Sequence, residues 1–102
     1  MVMISLTVGA KEVAKASPVV NCLQKAMYIT DLQAARSDLH KKAKQCNDSA
    51  TALTIYQEIM QIDIRIAELA YELRKAAYQV PEKDEDCNEM EFVRAIMKDT
   101  EK

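Results

Sequence analysis

The sequence predicts an all-α fold: a long antiparallel helical hairpin (about residues 18–46 and 49–79) and a short C-terminal helix (about 87–98), assembling into an oligomeric helical bundle. Three observations carry this. The 102 residues contain one glycine, Gly9, and two prolines, Pro18 and Pro81, whereas a sheet protein consumes Gly, Pro and Asn at its turns. From Ala52 to Val80, apolar residues recur at intervals of three and four without a miss, which is helical periodicity. The apolar surface so produced is wider than one partner helix can cover. Hydrophobic residues at 49% and charged residues at 29% place the chain among folded globular proteins.

Residues 1–16 read as an N-terminal arm. Val2, Ile4, Leu6 and Val8 alternate with Met3, Ser5, Thr7 and Gly9 in a period of two, a strand pattern with no second strand to pair with; Ala10 to Ala16 then reads as helical. Residues 17–80 form the hairpin core. Ser17-Pro18 is a helix start: serine offers the capping oxygen, and proline at the first helical position gives up only an orphan N–H. Along this helix Val20, Leu23 and Met27 share one face, while Tyr28, Leu32, Ala35, Leu39 and Cys46 lie about a quarter turn away. Thr30-x-x-Gln33 also has a capping-box spelling, so a kink or break is expected near Ile29–Asp31. Asn47-Asp48-Ser49 is the turn, with Asp48 or Ser49 available as the next cap.

The second helix is the most informative stretch. Ala52, Ile55, Ile59, Ile62, Ile66, Leu69, Leu73, Ala76 and Val80 form a heptad-type seam over four repeats, which Val80-Pro81 ends. Leu53, Tyr56, Met60, Ala67, Ala70 and Ala77 flank it, with Ile64, Tyr71 and Tyr78 beyond. At 100° per residue these residues cover an apolar arc of roughly 200°. The polar strip is Thr54, Glu58, Gln61, Arg65, Glu68, Glu72, Lys75 and Gln79. A helix of about 30 residues is about 45 Å long, against a diameter of roughly 34 Å for a compact domain of this size. The monomer should therefore be elongated with an apolar flank uncovered, and self-association is the simplest way to bury it. Residues 81–102 read as a charged linker, Glu82-Lys-Asp-Glu-Asp86, and a short amphipathic helix opened by Asp86-x-x-Glu89. Its sticky face comprises Met90, Phe92, Val93, Ile96 and Met97. The interface set expected from these patterns is Ile55, Ile59, Ile62, Ile64, Ile66, Leu69 and Leu73, with Met90, Val93 and Met97 of the last helix.

Several classes are disfavoured. A net charge of −2 gives no global field for nucleic acid or an anionic membrane. No apolar run approaches the ~20 residues that cross a bilayer, and Met1–Val8 is a poor signal peptide. Cys22, Cys46 and Cys87 are odd in number and lack CxxC spacing, which suits a reducing compartment; the cytoplasm is the expected location.

Chemistry-bearing signals are sparse, and no metal or cofactor is expected. His40 is the only histidine. Arg36, His40 and Lys44 step by four and share a helix face. In an oligomer they could hold a phosphate beside Tyr71 and Tyr78, although cations near a helix C-terminus also simply complement its dipole. Tyr71 and Tyr78 are one heptad apart at the edge of the apolar arc, where amphipathic rings are typical of interfaces. Cys46 follows the lysines Lys41, Lys42 and Lys44, whose charge could activate its thiol.

The stretch Gln61-Ile-Asp-Ile-Arg-Ile-Ala-Glu-Leu-Ala-Tyr-Glu-Leu-Arg74 is faintly similar to the first helix of the intertwined all-α chorismate mutases. The likeness spans 14 residues, lacks that family's second Asp, and falls in the second helix rather than the first. It implies a helical enzyme acting on a dicarboxylate. The residues themselves point first to a non-enzymatic interaction protein, such as a regulator, adaptor or inhibitor, that works as a homo-oligomer through protein–protein contacts. A binder of a small anionic ligand such as a nucleotide comes second, and the enzyme third.

Overall fold

The computed structural model describes residues 17–101; the expected N-terminal arm, 1–16, lies outside them. Three α-helices follow in order: α1 (Pro18–Gln45), α2 (Ser49–Ala77) and α3 (Asn88–Asp99), with a 3₁₀ turn at Glu82–Asp84 between the last two. Among the described residues there is no strand.

The helix starts at α1 and α2 follow their capping residues. The Ser17 hydroxyl accepts from the Val20 N–H at 3.3 Å. The Asp48 carboxylate accepts from the Thr51 N–H at 3.2 Å and the Thr51 hydroxyl at 2.6 Å, bonds that hold its carboxyl below the usual range. At α3 the expected cap is displaced by one residue: Cys87, not Asp86, takes the capping position and its side chain makes no capping bond. The break expected near Ile29–Asp31 is absent, and α1 runs unbroken. The reason is local. The Thr30 hydroxyl donates back to the Ala26 carbonyl at 3.1 Å instead of capping a new turn, a bond that a helix interior tolerates.

α1 and α2 pack along each other, and α3 packs chiefly on α1. Contacts between the long helices join Lys25 to Glu72 (3.9 Å), Arg36 to Asp63 (2.8 Å) and His40 to Tyr56 (ring centroids 6.2 Å apart). The numbers rise on one helix as they fall on the other. The main core sits where all three helices meet: Cys22, Ala26 and Ile29 of α1, Ile66, Leu69, Ala70, Leu73 and Ala76 of α2, Val80, and Met90 and Val93 of α3. The α2 seam is thus the inward line, with Ile59 also buried and Ala52, Ile55 and Ile62 half-buried.

The inward face of α1 is centred on a line that was not expected, although Leu32, Leu39 and Cys46 of the second expected face are half-buried and Leu32 packs against the core. Cys22, Ala26 and Ile29 are fully buried, whereas Val20 and Met27 are exposed. The expectation passed over Cys22 and Ala26 because they are small, yet beside Ile29 they let the helices approach closely. α3 is tied to the body by Met90 and Val93, by Gln33, which donates to the Asp99 carboxylate at 3.1 Å, and by Arg94, which donates to the Glu85 carbonyl of the linker at 2.6 Å. The molecule measures 54 × 37 × 19 Å, elongated as a pair of ~43 Å helices requires.

Leu73 is fully buried, so Leu73→Ala should cost about 2–5 kcal/mol, the range for truncating a buried leucine. Ile66→Asp should abolish cooperative folding by burying an unpaired charge. Thermal and urea unfolding followed by circular dichroism read both.

Candidate interaction surface

With the seam turned inward, the other apolar residues of α2 can be placed. Leu53 and Met60 do not adjoin the seam. At 100° per residue they lie about 150–170° around the helix from it, since a single step along the chain already turns the side chain by more than a quarter circle. They fall in line with Ile64, Ala67, Tyr71 and Tyr78. The set 53, 57, 60, 64, 67, 71, 74, 78 is itself spaced by fours and threes, and only Gln57 and Arg74 interrupt its apolar character. α2 therefore carries two heptad-type lines on opposite sides. The second is open to solvent: Leu53, Met60, Ile64, Tyr71 and Tyr78 are between 52% and 92% exposed, and Ala67 is exposed too. Among the described residues, none covers these five large side chains.

The expected interface residues are accordingly divided. Ile59, Ile66, Leu69, Leu73, Met90 and Val93 are buried inside the chain. Ile55, Ile62 and Met97 are half-buried, and Ile64 alone stands on the outward line. The apolar face of α3 is spent on the core, so this helix is not a free arm, although Phe92 remains exposed at its margin.

The residues proposed to hold an anion are not gathered within one chain. Arg36 crosses to α2 and donates to the Asp63 carboxylate at 2.8 Å. His40 meets the edge of Tyr56, with the rings 67° apart, a pairing the sequence reading missed. Lys44 is exposed. Tyr71 and Tyr78 lie on the outward face, about 12 and 22 Å along α2 from Asp63, and the Lys75 ammonium sits 5.3 Å from the Tyr71 ring centroid. A shallow cleft lined by Gln33, Arg36, Asp63, Ala70, Asp99 and Thr100 lies beside the Arg36–Asp63 pair. Two of its side chains are carboxylates, which suits no anion.

In the Gln61–Arg74 stretch, Asp63 is taken by Arg36, Arg65 donates to Glu68 at 3.3 Å and lies over the Tyr28 ring, and Arg74 is about 16 Å along the helix from Asp63. The stretch thus assembles no convergent charged set. Among the described residues, no three His, Cys, Asp or Glu side chains come together as a metal site, and no helix is long and apolar enough to cross a membrane. Compared with protein-family models, curated proteins and solved structures, the chain has no significant match.

All three thiols are free. Burial pushes the Cys22 thiol up, and nearby Lys25 offsets this only in part, so it holds less thiolate at any given pH. The Cys46 thiol donates to the Asp48 carbonyl at 3.4 Å and is partly exposed, as is Cys87. Alkylation by iodoacetamide at neutral pH, read by intact mass, should therefore modify Cys46 and Cys87 while Cys22 reacts only after denaturant is added.

Proposed function

We propose that this chain is a non-enzymatic helical interaction protein of the regulator, adaptor or inhibitor kind, acting as a homo-oligomer through the outward face of α2. In this reading α1 and α2 form an antiparallel hairpin, which the falling and rising residue numbers of the Lys25–Glu72, Arg36–Asp63 and His40–Tyr56 contacts support. The observation that carries it is the outward line from Leu53 to Tyr78. It runs about 38 Å and, at one side chain's width of about 10 Å, presents roughly 400 Å² of largely apolar surface. The largest apolar patch on an ordinary monomer is of about that size and is often functional. Its composition fits as well: methionine adapts to a partner's shape, and tyrosine supplies large contact area with a polar tip.

The rest of the molecule acts as the rigid support. Burying the inward seam against α1 and α3 fixes the rotation of α2 about its axis, and that rotation is what presents the second line to solvent. The anionic-ligand reading has less behind it, because Arg36 and His40 meet different neighbours, Lys44 is exposed, and the tyrosines lie elsewhere.

Ile64→Asp is the discriminating variant, because Ile64 is half exposed and two residues from the buried Ile66. It should keep its helix content and its unfolding free energy within about 0.5 kcal/mol, as surface changes do. It should lose self-association on a sizing column with light scattering. An Ile64→Asp protein of the same assembled mass as the wild type would remove the outward face from the reading. Nucleotides and phosphorylated metabolites should leave the melting temperature unchanged, since a ligand present at 100 times its Kd would add about 2.7 kcal/mol.

A further inference from the structure

We infer that the occupant of the outward α2 face is a second copy of this chain, laid antiparallel about a two-fold axis passing between Arg65 and Ile66. The inference rests on the interaction reading above and adds the orientation and register in which the two copies meet.

The midpoint of the outward line fixes the axis. A two-fold there overlaps the whole apolar length, bringing Leu53 to the partner's Tyr78, Met60 to the partner's Tyr71 and Ile64 to the partner's Ala67. Ile64 then meets a small residue, two layers pair large side chains, and Gln57 faces the partner's Arg74 as a polar layer. The strip of about 400 Å², with the residues on either side of it, approaches the roughly 800 Å² per partner of a stable interface.

Charge decides the direction. In a parallel pairing, the flanking positions would set Asp63 beside the partner's Glu68 twice over, and like charges at these positions oppose pairing. The antiparallel register sets Gln61 beside the partner's Glu68 and Thr54 beside the partner's Lys75, with no like pair.

The test uses the full chain. With Cys22, Cys46 and Cys87 replaced by Ala and Thr54→Cys carrying a nitroxide, pulsed electron resonance should give a distance of about 35 Å between labels, twice the label's 11.5-residue offset from the axis at about 1.5 Å per residue. Sedimentation of the unmodified protein provides a second reading that needs no substitution. It should show a monomer–dimer equilibrium that shifts to the dimer as concentration rises. Labels about 10 Å apart would overturn the antiparallel copy while leaving the outward face as an interaction surface. A mass of 11.5 kDa at every concentration would overturn both.

Discussion

A single α-helix cannot turn two opposite apolar lines towards one neighbour, and most of what is distinctive in this molecule follows from that constraint acting on α2. The inward line, Ile59, Ile66, Leu69, Leu73 and Ala76, is buried, and its burial is the dominant favourable term available to so small a chain. Once it is buried, helical geometry leaves no choice about the outward line. Leu53, Met60, Ile64, Tyr71 and Tyr78 must face away. Exposure of these residues is thus a consequence of how the core forms rather than a local accident of side-chain placement.

The small residues of α1 set how closely the helices can approach. Cys22 and Ala26 are fully buried where α1 meets the other helices, and nothing larger would fit without moving a helix. α3 completes this end of the structure with Met90 and Val93. Among the described residues the other end, around Ala43, Cys46 and Ile55, is built from two helices, with the exposed His40–Tyr56 and Arg36–Asp63 contacts bridging them. Exposed pairs of this kind contribute about 0–1 kcal/mol. They align the helices more than they stabilise them, and stability resides in the three-helix end.

Most of the fold was legible in the sequence because its signals were strong and local. Ser17-Pro18, Asn47-Asp48-Ser49 and Val80-Pro81 punctuate the helices to within a few residues of where they begin and end, and the inward seam of α2 was read without error. Two misreadings on α1 have a clear physical reason. The face of α1 was only partly read, because hydrophobic periodicity weighs large residues, whereas this interface sets the small Cys22 and Ala26 beside Ile29 and Leu32. The break at Thr30 was expected because a threonine followed by a glutamine three residues on spells a cap; the same hydroxyl can bond back into the helix, and here it does. The outward line was partly legible. Its residues were recognised as surplus apolar surface, and their own three-and-four spacing was the signal that would have separated them from the seam. The meeting of His40 with Tyr56 was out of reach, since it depends on how the two helices are paired along their length.

The surface itself can be watched directly by hydroxyl-radical footprinting of the native protein over a concentration series. Met60 and Tyr71 report on the outward line, and Met27, exposed on α1, serves as reference. If the outward face of α2 is where this protein binds, Met60 and Tyr71 lose reactivity together as concentration rises while Met27 does not. Met60 and Tyr71 staying as reactive as Met27 at every concentration would contradict the assignment of that face.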